Sequence, residues 1–469
     1  MKAIPFRASL GGLGLISATL TLAGAQDFQP RMGEPVRGLT QTELFDFENG
    51  REEFNRILTT QDGLGPIFND SSCGQCHAAP TVGGFGNRVV TRFGKKATPG
   101  FPFDPFADLG GSLLQSSLIE GFDPDIYGDK IPAEADLIIN RITPQSFGVG
   151  LIEEIPDAQI LANVGSSPNV NGIVRWTTPF EGGAMTPSRF GWKGGIATVL
   201  SFSADASVME LGLTNWIFPD DQAPQGNAAL LAVLDSVADP EDFQDGNGKF
   251  RIDRQSDFQR FLAAPPQSPK SGMTGEALFN QIGCADCHVS TYVTGNSQYP
   301  ALANQIVQPY SDFLLHDMGH PDQGGLGDGL VDGIATETMM FTRALWGLNQ
   351  RTGLLHDGRA TGAGFGGNVA IAIDWHRGDA NFSRQNFQAL SAAQQQQVVD
   401  FLQSLGRPEF DYDSNNRIDV FDWFFLQPDF QGPGAPSVTP DDLSAVADVN
   451  QDGHLDLADF LIFQRAITD

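Results

Sequence analysis

The sequence holds four cysteines, and their spacing is its most informative chemical feature. They occur as Cys73-Gly74-Gln75-Cys76-His77 and Cys284-Ala285-Asp286-Cys287-His288, which are two copies of C-x-x-C-H. In this motif two thiols about one helical turn apart add to the vinyl groups of a haem, and the adjacent histidine binds the iron. A redox dithiol, a strained disulfide or half of a zinc site would not need the repeated histidine. The sequence therefore predicts two covalent haems, with His77 and His288 as proximal ligands.

Each predicted iron has a second axial position, and few side chains are available to fill it. No histidine occurs between His77 and His288, so the N-terminal haem has no second imidazole from its own segment. Met185, Lys193 and Met209 are the alternatives there. If none of them binds, this iron keeps an open position, and it is then the expected site of reaction with a peroxide.

Apolar residues at helical spacing surround the two motifs. They occur in Glu43 to Leu58 and in Thr274 to Gln281, just before each motif. Ser391 to Gly406 follows the second motif, with a Ser N-cap and a Gly stop. The 54 glycines and 29 prolines indicate long loops. We therefore expect a mainly α fold with two cytochrome c-like domains.

The N-terminal residues and the charge bear on location and on partners. Lys2 and Arg7 precede the apolar run Leu10 to Leu22, which ends near Ala25 and is typical of a cleaved secretory signal. We expect an exported protein, periplasmic or at the cell surface, without a membrane span. The formal charge of −29 argues against nucleic acid and anionic membranes as partners.

Acidic residues are concentrated in two segments of twelve residues beyond Pro408. Two sets of side chains occupy positions 1, 3, 5, 9 and 12 of a calcium loop: Asp411, Asp413, Asn415, Asp419 and Asp422, then Asp448, Asn450, Asp452, Asp456 and Asp459. Gly453 stands at the sixth position of the second loop, and Asn416, which tolerates the left-handed conformation, replaces it in the first. The pair resembles a dockerin-type module, and the alternative is an acidic disordered tail. The resemblance implies bound calcium and a possible cohesin-like partner.

Seven short segments carry a second resemblance. They are Asn140 to Pro144, Gly148 to Asp157, Phe190 to Lys193, Leu315 to Gly319, Leu345 to Leu348, Leu355 to Ala360 and Trp375 to Gly378. Together they resemble the dihaem oxidoreductase and peroxidase family, a distant relative of the bacterial dihaem cytochrome c peroxidases. The resemblance runs from about residue 35 to residue 408. It implies two facing haem domains, in which one haem reacts and the other relays electrons.

The same resemblance suggests a second axial ligand for the C-terminal haem. His376 stands where relatives place this ligand after a segment like Leu355 to Gly358. His316 and Met318 are the competing ligands, and the alternative for His376 is a core histidine beside Trp375. Imidazoles on both faces would make this haem six-coordinate.

Catalytic groups are expected near the N-terminal haem, because cleavage of a peroxide bond needs an acid/base. By resemblance, Glu153 or Glu154 takes this role, and solvent-facing carboxylates are the alternative. Arg141 is expected to stabilise negative charge on the leaving oxygen or to bind a propionate.

Four further side chains have a structural and a functional interpretation. His356 is expected near the iron or between domains, and Arg359 at a propionate or on the surface. Trp192 and Trp346 are candidates for an aromatic bridge between the haems, or are core residues.

The sequence thus divides into a signal (1–25), an N-terminal haem domain (26–265), a C-terminal haem domain (266–408) and a calcium module (409–469). The leading hypothesis is an oxidoreductase that acts on peroxide or another small molecule and exchanges electrons with a partner protein. The alternatives are an electron carrier without peroxidase activity and a calcium-dependent surface interaction protein.

Overall fold

The structure is a computed structural model that describes residues 29–99, 101–266, 273–413, 415–430, 447–449 and 452–467. The predicted signal sequence, the linker at 431–440 and the predicted ligand Asn450 lie outside these residues.

Helix exceeds strand in the described residues. The helices are α1 (Gln41–Asn55), α2 (Cys73–Cys76), α3 (Pro124–Tyr127), α4 (Val149–Glu153), α5 (Asp157–Leu161), α6 (Val199–Leu211), α7 (Ala228–Leu234), α8 (Arg251–Phe261), α9 (Thr274–Gln281), α10 (Gly364–Asp374), α11 (Asn381–Ala389), α12 (Ala392–Ser404), α13 (Val420–Leu426) and α14 (Leu457–Ala466). Long loops connect many of them, as the glycine and proline content predicts.

The strands are short and pair two by two. They are β1 (Ile67–Phe68), β2 (Val89–Gly94), β3 (Ser117–Leu118), β4 (Leu137–Ile142), β5 (Trp176–Thr177), β6 (Thr186–Pro187), β7 (Tyr292–Val293), β8 (Ile306–Val307), β9 (Leu315–Asp317) and β10 (Met339–Phe341). The pairs β1–β3, β2–β4, β5–β6, β7–β8 and β9–β10 are all antiparallel. The longest pair, β2 with β4, aligns Val90 with Arg141.

Helix α1 packs on α8 at the centre of the largest core. Phe47 and Phe54 of α1 meet Phe258 of α8, with ring centroids 5.3 and 4.9 Å apart. Gly50 permits this contact, because a Cβ there would lie 2.3 Å from the carbonyl oxygen of Arg254. Helix α1 ends at Asn55, before the Leu58 limit that its apolar pattern indicated, because Arg56 is extended.

The largest core extends across the predicted domain boundary at residue 265. It includes Phe313, Phe341 and Trp346 together with residues of α1, α4 and α8. The backbone between β7 and the residues after β10 therefore packs on the N-terminal half of the chain, and the two units share one apolar interior.

A second core surrounds the second C-x-x-C-H motif, which begins at Cys284. Phe279 of α9 contacts Phe401 of α12 with ring centroids 5.3 Å apart, and Tyr310 lies against both rings. The predicted helix from Thr274 to Gln281 is confirmed as α9. Helix α12 begins after Ser391, which caps it as predicted and forms a capping box with Gln394.

The C-terminal residues form a small core of their own. Phe410 packs on Phe463 of α14, and Trp423 of α13 contacts the same phenylalanine at 5.8 Å. Asn416 attaches this unit to the rest of the chain, because its side-chain amide donates to the Met32 carbonyl at 3.0 Å.

No helix within the described ranges combines the length and the apolar character that crossing a membrane requires.

Candidate haem-binding sites

The first attachment motif lies on the short helix α2, which begins at Cys73. Ser72 caps this helix, because its hydroxyl accepts from the Gly74 amide at 3.2 Å and donates to the Phe54 carbonyl at 3.4 Å. Gly74 is required for the approach of α1, since a Cβ there would lie 2.4 Å from the Asn55 side-chain oxygen. One turn of helix thus brings Cys73 and Cys76 to the wall of a cavity that His77 also lines, which we call the N-terminal cavity.

His77 is held as a neutral imidazole. Its Nδ1 lies 3.2 Å from the Gly84 carbonyl oxygen, which can only accept, so Nδ1 carries the hydrogen. Burial lowers the pKa of His77 to about 4. Its Nε2 therefore keeps a lone pair that is available to a metal.

The second motif repeats this arrangement without sharing the same local backbone. Cys284, Cys287 and His288 line another cavity, the C-terminal cavity. His288 Nδ1 donates to the Tyr310 carbonyl at 2.9 Å, and burial lowers the pKa of His288 to about 4. The Tyr310 ring packs in the second core and fixes the position of this carbonyl.

The donors in both cavities fit a covalently held haem. A neutral histidine that donates its other ring hydrogen to a carbonyl is the common arrangement of a metal ligand. Burial raises the pKa of Cys73 and of Cys284 to about 12, whereas a reactive dithiol needs a lowered thiol pKa. All four cysteines are free thiols in this structure.

His376 faces the C-terminal cavity from the end of α10. It lines this cavity together with His288, and its Nδ1 donates to the Ala372 carbonyl at 2.7 Å. Burial lowers the pKa of His376, so its Nε2 also keeps a lone pair. The site therefore offers two imidazoles for one iron.

His316 also lines the C-terminal cavity, but its hydrogen bonds disfavour it as an iron ligand. Its Nε2 lies 2.7 Å from Asp312, and its Nδ1 lies 3.5 Å from Asp379. Although burial opposes the shift, hydrogen bonds to these carboxylates raise the pKa of His316 to about 12. A protonated imidazole has no lone pair for iron, so Met318, which lines the same cavity, remains the other candidate.

Among the described residues that line the N-terminal cavity, His77 is the one histidine. Lys193 lines this cavity, but its ammonium is 2.8 Å from Asp328 and donates to two carbonyl groups. Met185 does not line the cavity and is 60% exposed. Met209 does line it, and so it stays as the candidate for a second axial ligand.

Trp192 forms part of the wall between the two cavities. It lines both of them, and its indole nitrogen donates to the Ile142 carbonyl at 3.3 Å. The buried ring of His356, on the side of the C-terminal cavity, meets it edge-on with centroids 6.3 Å apart. Trp192 thus lies between the two cavities, whereas Trp346 is a core residue that lines neither of them.

A buried ion-pair group stands next to this wall. Asp328 accepts from Arg141 at 2.6 Å and from Lys193 at 2.8 Å. Although burial opposes the shift, the two cations hold the pKa of Asp328 well below its usual range. Arg141 lines the N-terminal cavity, and its buried Nε has no hydrogen-bond partner.

The family model described as "Di-haem oxidoreductase, putative peroxidase" matches residues 130–405 of the chain. The chain belongs to this family. The matched range contains Cys284 to His288 and begins after Cys73 to His77. No curated protein matches the chain.

In this di-haem oxidoreductase, Glu153 and Glu154 lie away from the N-terminal cavity, which corrects their expected position. Glu153 accepts from the Val199 amide at 2.7 Å and from Arg260 at 3.1 Å. Glu154 accepts from the Ser297 hydroxyl at 2.7 Å. Glu153 is the last residue of α4 and Glu154 is its C-cap residue, and neither lines the N-terminal cavity.

Other ionisable side chains line the N-terminal cavity of the di-haem oxidoreductase, and sequence reasoning missed them. Asp205 and Glu210 lie on the cavity face of α6, and burial raises the pKa of both. The positive charge of Arg92 in β2 acts against this burial and lowers the pKa of Asp205. The spacing of Phe202, Asp205 and Met209 along one face of α6 was the available signal.

Arg359 lies outside both haem cavities. Its guanidinium is 2.5 Å from Asp357 and stacks over Trp375 at 4.3 Å. It is therefore not an unpaired surface residue, and it lines neither the N-terminal nor the C-terminal cavity.

Several of the acidic side chains predicted as calcium ligands lie close together in the described part of the tail. Carboxylate oxygens of Asp411, Asp413 and Asp422 lie within 4.8 Å of one another. Asn416 has φ +63° and Gly453 has φ +85°, the left-handed turn expected at the sixth position. Asp419 and Asp456 cap α13 and α14. Burial and the neighbouring Asp422 raise the pKa of Asp411 to about 7.

We predict that Asp328→Asn destabilises the folded protein by about 3 to 5 kcal/mol at pH 7, because it leaves two buried cations without their counter-ion. The native pKa of Asp328 lies below its ordinary value of 3.8, so the carboxylate stabilises the fold above that value. The difference from wild type should shrink as the pH falls below 3.8.

Denaturant unfolding followed by tryptophan fluorescence measures this difference. The control is Asp322→Asn, whose side chain is 69% exposed and should change stability little. Equal unfolding midpoints for Asp328→Asn and the wild type at pH 7 would contradict the prediction.

Proposed function

We propose that this protein is an exported c-type dihaem oxidoreductase that reduces peroxide at the N-terminal cavity and receives electrons through the C-terminal cavity. The difference between the two cavities carries the proposal. The C-terminal cavity offers His288 and His376, whereas the N-terminal cavity offers His77 alone among the described histidines. His288 and His376 would together hold the cofactor of the C-terminal cavity, whereas His77 would leave the cofactor of the N-terminal cavity accessible to a small molecule.

When bound, haem iron supplies the redox chemistry, and its axial ligands decide between electron transfer and reaction with a small molecule. The chain's own part is to hold the ligands and to supply protons. The neutral His77 and His288 are oriented by the Gly84 and Tyr310 carbonyls. Trp192 provides a π-system in the wall through which electrons pass between the two cavities.

Asp205 is the proposed acid/base at the N-terminal cavity. Burial raises its pKa, so the carboxyl accepts a proton more readily than an exposed aspartate does. Asp205 belongs to α6 and Arg92 to β2, whereas His77 directly follows α2. Asp205 and Arg92 can therefore take part in the reaction without moving His77. Arg92 and Arg141 line the same cavity and can stabilise negative charge on a leaving oxygen.

An electron carrier without peroxidase activity is the alternative function. Met209 favours it, because its side chain lines the N-terminal cavity and a thioether can fill the sixth position of haem iron. The two functions differ in one observable, the spin state of the N-terminal iron.

The tail is proposed as a dockerin-like calcium module attached to two cytochrome c-like haem units. Loop geometry supports this proposal, because oxygen ligands alternate along both loops and a left-handed residue stands at the sixth position. Exposed apolar residues of α13, Phe421, Phe424 and Phe425, offer a surface for a cohesin-like partner.

We predict that the oxidised protein gives one low-spin bis-imidazole signal and one high-spin signal in electron paramagnetic resonance. Cyanide should convert the high-spin signal and leave the other unchanged. His376→Ala should make the second signal high-spin, because it removes the second imidazole.

His320→Ala is the matched control, since His320 is half-buried and does not line the C-terminal cavity. Two low-spin signals without cyanide binding, both in the oxidised and in the half-reduced protein, would favour the electron carrier.

We predict that Asp205→Asn lowers kcat/KM for hydrogen peroxide by roughly 10² to 10⁴-fold, the usual loss when an acid/base group is removed. The electron paramagnetic resonance spectrum should stay unchanged. Glu154→Gln, which alters a carboxylate away from the cavity, should retain the wild-type rate. Equal rates for Asp205→Asn and wild type would exclude this residue as the acid/base.

We predict that the chelator-treated protein takes up two calcium ions per chain in isothermal titration calorimetry, because each loop supplies clustered carboxylates. Asp411→Asn and Asp448→Asn should each remove one ion. Asp125→Asn, an exposed aspartate in α3, serves as the control. No calcium uptake by the wild type would refute the loop assignment.

A further inference from the structure

Arg343 and Arg351 lie together on the wall of the C-terminal cavity, in the loop that follows β10. Their guanidinium carbons are 5.5 and 5.9 Å from the centroid of the Trp192 ring. The guanidinium of Arg351 also lies over Phe85, 5.2 Å from its centroid. Two cations thus stand at the edge of the cavity that borders the wall between the haem sites.

No carboxylate in the part of the chain that the structure describes acts on the pKa of either guanidinium. The Nη2 atom of Arg351 is buried and has no hydrogen-bond acceptor. Burial lowers the pKa of both arginines to about 10, which still leaves them charged at neutral pH. Buried cations without counter-ions are unfavourable, and two adjacent ones also repel each other.

The third arginine of this cavity is satisfied by protein groups. Arg384 is 3.2 Å from Asp374 and donates to the Asn381 side chain at 3.0 Å. Hydrogen-bond acceptors are thus present around the cavity, so a general shortage of them does not explain why Arg343 and Arg351 have no carboxylate partner among the described residues. Both side chains line the C-terminal cavity, where an anion can pair with them.

We propose that Arg343 and Arg351 bind the propionate carboxylates of the C-terminal haem. This inference rests on the proposed attachment of a haem at Cys284, Cys287 and His288. Haem carries its two propionates on the side opposite the vinyl groups that the cysteines hold. The cysteines and the arginines reach this cavity from different segments, because Cys284 and Cys287 follow α9 whereas Arg343 and Arg351 follow β10.

Planar guanidinium groups suit this role, because they bind carboxylates through two parallel hydrogen bonds. The propionate edge of the C-terminal haem then faces Trp192, which also lines the N-terminal cavity. The arginines thus set the rotation of the haem in its plane and direct its edge toward the other cofactor. They also favour the reduced iron, since nearby positive charge stabilises the state with one more electron.

The test uses the purified two-haem protein and the variants Arg343→Gln and Arg351→Gln. Resonance Raman spectroscopy measures the propionate bending bands, and an optical redox titration measures the midpoint potential of the low-spin haem. Both variants should shift the propionate bands and lower the potential. Arg343→Lys and Arg351→Lys should shift the same bands with a smaller change in potential, because they keep the charge but lose the paired hydrogen bonds.

Arg384→Gln is the matched control and should leave the propionate bands unchanged. A pyridine haemochrome assay gives the number of haems per chain in every sample. Unchanged propionate bands in all four variants, with two haems bound, would overturn this proposal alone. A wild-type protein without haem at Cys284 and Cys287 would overturn it together with the proposed function.

Discussion

Asp328 is the one carboxylate that neutralises both Arg141 and Lys193 in the described part of the chain, and the wall between the cavities depends on it. Arg141 belongs to β4, and Lys193 directly follows Trp192. Asp328 itself lies between β9 and β10, in the half of the chain that carries the second motif. Two ion pairs therefore join the halves at the residue next to Trp192. Leaving a buried charge unpaired destabilises the fold strongly, so few other arrangements of these three side chains are stable.

Local acceptors decide which buried histidines can bind iron. His77, His288 and His376 each donate to a backbone carbonyl, which leaves the second ring nitrogen unprotonated. His316 lines the same cavity as His288 and His376, but it faces two carboxylates, and its hydrogen bonds to them raise its pKa. Burial alone therefore does not define a ligand. The hydrogen-bond partner fixes the charge of the ring, and the charge fixes whether a lone pair remains.

The two cavities differ in charge as well as in ligands. Carboxylates and cations are mixed around the N-terminal cavity, which Asp205 and Arg92 both line. The C-terminal cavity is mainly apolar and holds the cations Arg343 and Arg351 near Trp192. The first environment suits chemistry on a small polar molecule, and the second suits an electron relay, which needs little charge rearrangement.

The sequence by itself determined the chemical content of this protein: the two C-x-x-C-H motifs, the helices α9 and α12 with the Ser391 cap, and the left-handed residues Asn416 and Gly453 of the acidic tail. These features are local, since a motif, a cap or a loop depends on residues a few positions apart. Only the tertiary structure decided the surroundings of each site. Glu153 and Glu154 do not line the N-terminal cavity, whereas Asp205 does. His316 lies against two carboxylates that raise its pKa, and Trp192 lines both cavities. Each of these outcomes depends on contacts between residues far apart in the chain, and their energies come from burial and charge pairing that no local pattern records.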